Sequence, residues 1–435
     1  MNSVKTLVAG LVFCGVAGTA SAEIAMIDQA SFKLTMAPYL RTDVISMSNT
    51  TDLDSKLKDD KTTYFGIDYS NAFDLQFKNN GPEFFLKLER NGPYDYDAPI
   101  FVHNTLTTSS GRVDRYRDAE LLPHIEEAWG DAPLGVFDTH VKAGIFTYGV
   151  GHNLVLNGSY ENYGVNLYRK NDTLAWSLYY CHPDWANKTF LGPRVHQERD
   201  QGIDYQYNKA NSFATNVSYS PRENTTMQPY CGGLADSSGD TRTNLFPGAI
   251  KSDLLGTVGF SADTTIEKFS LGFEAARNFG KAKSGDPAYD DITHSGYMLY
   301  GSAGYDLKKL KPHVRCVFAS GNKVSTDMVD GGNTFNSTKN RAFSVYSPAN
   351  TNLSDSIYPA AKNIPIVAMG AGYGLNYGIG RPTTAGDPRM FDNLLMPGLG
   401  FEYQWTEKFS TTVDWWYLRS VERGVGTSGG DAVEL

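Results

Sequence analysis

Ionisable side chains that alternate with apolar ones are the residues of this 435-residue chain with the clearest chemical use. Lys33, Arg41, Lys87, Lys142 and Arg315 each fall opposite the apolar positions of an alternating run, such as Val314, Cys316 and Phe318 around Arg315. Asp68, Asp74, Glu89, Asp204, Glu274, Asp306, Glu402 and Asp414 fall in the same phase. A strand sends successive side chains to opposite faces, so this phase gathers charge on one face and grease on the other. Charges on a wetted face turn over no substrate. They select ions when one sign dominates, and they stiffen the wall as salt bridges when the signs mix. Both signs occur here, and for any one residue the two roles weigh equally.

Motifs for covalent or metal chemistry are missing. No G-x-S-x-G elbow and no H-E-x-x-H zinc motif occurs. His103, His124, His140, His152, His182, His196, His294 and His313 are scattered, without metal-ligand spacing. The chain is therefore expected to be no enzyme, with no catalytic residue, metal or cofactor. Tyr94-Asp95-Tyr96-Asp97 and Asp236-Ser237-Ser238-Gly239-Asp240 lack the spacing of an EF-hand loop and read as solvated turns.

The positioning elements are short strands in a regular rhythm. Between Met369 and Ile379 the residues Met369, Ala371, Tyr373, Leu375, Tyr377 and Ile379 alternate with Gly370, Gly372, Gly374, Asn376 and Gly378. In the same way Phe65, Ile67, Tyr69, Phe73, Leu75 and Phe77 oppose Asp68, Asp74 and Gln76. Strands are expected at 31–43, 61–77, 83–91, 121–130, 138–147, 163–170, 172–181, 200–208, 211–220, 252–263, 266–277, 293–306, 310–320, 394–405 and 409–419, with one beginning near 430.

Short turns at Asn80-Gly81, Lys170 to Asp172, Lys209-Ala210, Asp263 to Thr265, Leu307 to Lys309 and Thr406-Glu407 alternate with long polar stretches, among them 148–162, 182–199, 221–251 and 321–393. Every second strand end thus faces one side, as in an outer-membrane barrel with tight periplasmic turns and long external loops. Parity leaves 363–380 either two wall strands or none, and a constriction loop with a gating role is the favoured reading. The expected fold is an all-β transmembrane antiparallel barrel of about 16–18 strands. Asp431 to Leu435 begins an inward strand without finishing it, so the barrel is expected to be incomplete at the C-terminus.

Export supports this. Residues 1–22 read as a signal peptide: Lys5, an apolar stretch from Thr6 to about Gly18, and Ala20-Ser21-Ala22 as the cleavage site. The barrel domain is then 23–435, in the bacterial outer membrane. Losing Lys5 takes the net charge from −9 to −10, which excludes a nucleic-acid partner. Aromatics at 13% and a polar mean hydropathy of −0.36 fit a wall whose apolar residues are hidden in alternation, with rings such as Trp415, Trp416 and Tyr417 at the interfaces. Of the three cysteines beyond the signal, Cys316 lies on an apolar face. Cys181 and Cys231 fall on one side of the barrel, and an oxidising compartment makes a disulfide between them expected.

The stretches Ile125-Glu126-Glu127-Ala128-Trp129, Val141-Lys142-Ala143-Gly144-Ile145, Gly158-Ser159-Tyr160-Glu161-Asn162-Tyr163-Gly164-Val165, Pro312-His313-Val314-Arg315 with Ala319-Ser320-Gly321-Asn322, and Thr411-Thr412-Val413-Asp414-Trp415-Trp416-Tyr417-Leu418-Arg419 resemble the outer-membrane alginate-export porin family. The resemblance implies an eighteen-stranded barrel whose basic constriction conducts an anionic polysaccharide, with outer-membrane lipid around it and periplasmic export partners. The mixed charges quoted above suit a channel for a polar or anionic solute. Two other classes stay open. One is a soluble periplasmic or secreted β-protein that binds carbohydrate through its aromatics. The other is an outer-membrane barrel hydrolase with a Ser–His pair on its rim.

Overall fold

The computed structural model describes residues 23–47, 62–91, 124–146, 148–152, 154–158, 163–182, 210–237, 250–285, 290–321, 338–341, 394–406, 409–416 and 419–421, with short pieces at 13–14, 18–21, 105–107, 113–115, 287, 328–329, 334–335, 343, 377–378 and 381–382. The chain divides into two units, residues 1–133 with 185–205, and residues 134–184 with 206–435. Both are built from antiparallel strands.

In the first unit β1 (Ile24–Asp28), β2 (Phe32–Met47), β3 (Thr62–Phe77), β4 (Glu83–Asn91) and β5 (His124–Pro133) pair in chain order. Gly18–Ser21, within the expected signal segment, also pairs with β2. The β3–β4 hairpin turns through Asn79 and Asn80 at φ of 60° and 62°, a left-handed conformation that asparagine tolerates. One register row runs Thr35, Asp74, Phe85, Trp129, and the next runs Met36, Phe73, Leu86, Ala128. Met36, Phe73 and Leu86 thus share the face opposite Asp74, while the row of Asp74 also carries the stacked rings of Phe85 and Trp129.

The second unit is a meander of β6 (Thr139–Ile145), β7 (Tyr163–Arg169), β8 (Leu174–His182), β9 (Ala210–Arg222), β10 (Thr225–Asp236), β11 (Ile250–Ile266), β12 (Phe269–Ser284), β13 (Tyr297–Tyr305), β14 (Leu310–Ala319), β15 (Leu394–Thr406) and β16 (Phe409–Trp416). Each pairs with the next, from β6–β7 through β15–β16. The tight reversals after β7, β9, β11 and β13 all fall at one end, and β6, β8, β10, β12 and β14 end at the other.

The face carrying Val165, Leu178, Phe213, Val217, Val258, Phe260, Leu271, Phe273, Leu299, Val314, Leu399 and Phe401 is exposed along its whole width. Buried side chains sit on the opposite, inner face, where Ser177, Ser212, Thr257, Ser261, Glu274 and Asn278 lie among Tyr179, Tyr230 and Met298. Tyr230 lies flat across Gly259 in its register row, where a Cβ would collide with the ring. An aromatic over a strand glycine restores the packing that the glycine lacks.

Several expectations are corrected. The expected loop at 221–251 contains β10. Strand alternation is hidden there because Thr226 and Gln228 face inward, outward Thr225 is polar as well, and the chain reverses tightly at Glu223-Asn224. β9 begins at Ala210, so no turn sits at that residue. The reversal placed at Asp263 to Thr265 falls at Glu267-Lys268, since cross-strand pairing continues to Ile266↔Phe269. β14 pairs directly with β15, so no described strand lies between them in the sheet. Within 363–380 only Tyr377–Gly378 is described, in a small ribbon with Arg381–Pro382; the strand expected at 200–208 lies outside the described residues.

The Cys181–Cys231 bridge is also corrected. Cys181 is buried on the inner face of β8 opposite Ser212, while Cys231 is on the outer face of β10 opposite Thr215. Two strand spacings alone separate them by about 10 Å, beyond the roughly 7 Å that a disulfide spans. The error follows from the missed strand: as a loop residue Cys231 could reach Cys181, but as a β10 residue it points the other way. Cys181, Cys231 and Cys316 are unbridged.

Candidate functional site

After β6 the chain does not continue away from the sheet. Residues 146–158 fold back and lie on the inner face of the second unit. A small ribbon, Tyr148–Val150 against Leu156–Gly158, gives the segment its own hydrogen bonds. Phe146, Tyr148, Val150, Leu154 and Val155 are all buried, which explains why an apparently polar connection holds so much apolar surface.

Two anchors fasten it. The first is aromatic. Tyr148 stacks on Tyr179 of β8 with centroids 4.3 Å apart, and Phe146 meets the same ring edge-on at 5.7 Å. The Tyr148 hydroxyl lies 2.7 Å from Ser177 Oγ and accepts a hydrogen bond from Asn216 Nδ2 at 3.0 Å. Burial pushes the Tyr148 phenol up to about 12, so it stays neutral.

The second anchor is ionic. At the segment's bend, Gly151 has φ +58° and its N–H donates to Gln228 Oε1. A Cβ at Gly151 would run into the Glu274 carboxylate, so glycine is needed both for the backbone angle and for the approach. Next in sequence, His152 donates its main-chain N–H to Glu274 Oε2 at 2.8 Å and places Nδ1 at 2.8 Å from the same oxygen. Its Nε2 lies 3.0 Å from Asp263 Oδ1, and its ring packs 4.9 Å from that of Tyr300. The Tyr230 hydroxyl donates to Glu274 Oε1 at 2.6 Å. Burial opposes a charge on His152, but hydrogen bonds to Asp263 and Glu274 outweigh it and raise the imidazole to about 9. With a carboxylate at each ring nitrogen, both nitrogens act as donors and the ring is an imidazolium at neutral pH.

The charged residues singled out by alternation distribute as follows. In the first unit Lys33 pairs with Glu23 at 2.8 Å, and Asp74 Oδ2 accepts from Gln76 Nε2 at 2.7 Å. Lys87 shares a register row with Ala72 and Glu127. Arg41 and Asp68 are direct cross-strand neighbours, with side chains outside the described residues. In the second unit Lys142 and Glu274 both touch the folded-in segment, Lys142 Nζ lying 5.7 Å from the Phe146 ring centroid. Arg315 occupies the inner row of Ser302 and Gly398, and Glu402 lies 3.6 Å from Lys311. Asp204 lies outside the described residues.

Alternation missed His152, Asp263, Tyr148 and Tyr230. Two belong to a segment read as an external loop and one to a supposed turn. The available signal was the apolar content of Phe146 to Val155, unusual for a loop in water.

No protein family and no curated protein matches the chain. Among solved structures it is similar to a porin at 9% identity, covering 89% of this chain and 94% of that one with a TM-score of 0.40. It is similar to OprB of Pseudomonas putida at 10% identity, covering 89% of each chain with a TM-score of 0.40. OccAB1 of Acinetobacter baumannii gives 10% identity, 95% of this chain and 90% of that one, and a TM-score of 0.38.

Proposed function

We propose that the chain is a bacterial outer-membrane channel for polar solutes, with residues 146–158 as its constriction. The observation that carries this reading is the contrast between the faces of the second unit. The outer face exposes apolar side chains from β7 to β15, a patch far larger than a soluble monomer tolerates. The inner face holds Glu274, Asn278, Thr257 and the segment anchored on them. Only a lipid exterior and a wet interior suit both. The pore-lining set remains Lys33, Arg41, Asp68, Asp74, Lys87, Lys142, Asp204, Glu274, Arg315 and Glu402. Long connections lie on the outside of the cell, tight turns face the periplasm, and residues 1–22 serve as the export signal.

The solute of this channel is polar. Export of an anionic polysaccharide needs an excess of positive charge, whereas Lys142, Lys311 and Arg315 share the inner face with Asp253, Asp263, Glu274 and Glu402. Planar-bilayer recording tests the proposal. The refolded protein should give discrete conductance steps, and replacing residues 148–158 by a short Gly-Ser linker should enlarge them. Absence of steps from protein with heat-modifiable gel migration would refute the channel. Unchanged step size after the replacement would refute the constriction.

A further inference from the structure

The outer face of β12 changes character towards the long-connection end. Leu271, Phe273 and Ala275 give way to Arg277, Phe279, Lys281 and Lys283, all outward in the same alternation. Their neighbours on β11 are Val258, Gly256, Leu254 and Ser252, and Tyr297 of β13 flanks Arg277. Lys281 Nζ lies 3.6 Å from Asp291 Oδ2, whose other oxygen accepts the Ser284 N–H. Among the described residues Arg277 and Lys283 have no acidic partner. Three positive groups therefore face one acid.

Their height is what gives them meaning. Phe269 packs on Tyr305 at 4.6 Å near the tight-turn end, and Tyr297, beside Arg277, stacks on Phe318 at 5.4 Å towards the other end, where Phe279 is the last outward ring of β12. Phe269 to Phe279 is ten residues, about 33 Å of strand, or about 25 Å along the normal at the usual barrel tilt. That is the height of a lipid-facing apolar band with aromatics at both margins. Lys281 and Lys283 fall just beyond the upper margin, and Arg277 is close enough for its long side chain to reach it.

We propose that Arg277, Lys281 and Lys283 form a docking surface for a phosphorylated glycolipid of the outer leaflet. Its acyl chains would lie on Val258, Phe279 and Leu299, and its phosphates on the three cations. Cations on an otherwise apolar outer face suit a molecule that is greasy below and anionic above, and guanidinium and ammonium groups bind phosphate through charge-assisted hydrogen bonds. The inference rests on the membrane reading given above.

Native mass spectrometry of the full folded chain in detergent tests it, with diphosphorylated lipid A and its fully dephosphorylated form as probes. The phosphorylated probe should bind better. The triple variant Arg277→Gln, Lys281→Gln, Lys283→Gln should weaken that binding at least about tenfold. The variant Lys268→Gln, Lys308→Gln, Lys309→Gln removes equal charge at the tight-turn end and should leave it unchanged. Equal binding of both probes by protein that inserts into vesicles and migrates heat-modifiably overturns the docking surface alone, as does displacement by inorganic phosphate. Protein that stays soluble without detergent and takes up neither probe overturns the membrane reading as well.

Discussion

Glu274 holds His152 twice through one oxygen: Oε2 lies 2.8 Å from the histidine's main-chain nitrogen and 2.8 Å from its Nδ1. The two residues are 122 positions apart, and Glu274 has no exposure to solvent. A carboxylate buried in a sheet wall is stable only when its charge and lone pairs are met, and His152 with Tyr230 meets them. The constriction segment and the wall are thus mutually dependent, since each supplies the other's missing partner.

Glu274→Gln should loosen the segment while preserving the shape of the wall. Removing one partner of a buried ion pair costs about 3–5 kcal/mol, so the segment should leave its seat part of the time. Single-channel traces should gain a larger, flickering open level. A trace identical to the wild type would show that the pair does not hold the constriction.

His152 makes that seat pH-dependent. Its folded pKa is raised from the ordinary 6.5 to about 9, against burial, by Asp263 and Glu274. A raised pKa means the charged form stabilises the seated state, so this contribution is complete below about 6.5 and is lost as pH rises through about 9. Asp263, Glu274, Tyr230 and Tyr300 are the groups that face the imidazole. Open-level noise should rise between neutral pH and about 9.5, and His152→Gln should abolish the rise. NMR titration of the labelled imidazole reads the same transition directly.

The two faces should respond oppositely to charge. Phe273→Arg, in the middle of the outer face, should cost about 2–4 kcal/mol of stability in a bilayer. Glu402→Arg, on the inner face beside Lys311, should cost less than about 1 kcal/mol. Urea titrations of vesicle-inserted protein compare the two, and a reversed order would invert the assigned faces.

Intact-mass analysis after alkylation without reductant should show three modified thiols once the mature chain is unfolded. In the folded state Cys181 should be protected by its complete burial on the inner face. A mass two protons lower, with one modified thiol, would mean that the described positions of Cys181 and Cys231 are wrong.

The sequence by itself determined the all-β class, the phase of the strands and hence which residues share a face. Side-chain direction repeats every two residues and depends on nothing distant, so Phe73 opposite Asp74 and Val314 opposite Arg315 were legible locally. The separation of tight turns from long connections was largely legible for the same reason, as at Lys170 to Asp172 and Leu307 to Lys309. β10 was lost because Thr226, Gln228 and Tyr230 all face inward, and a strand whose apolar phase is weak looks like loop. Tertiary structure alone decided where residues 146–158 go. Their burial depends on Tyr179, Gln228, Asp263 and Glu274, residues up to 122 positions away that local periodicity cannot bring together. It also decided the pairing of β14 with β15 across a long insertion and the opposite facing of Cys181 and Cys231, because strand partners and register are set by contacts between segments and not within them.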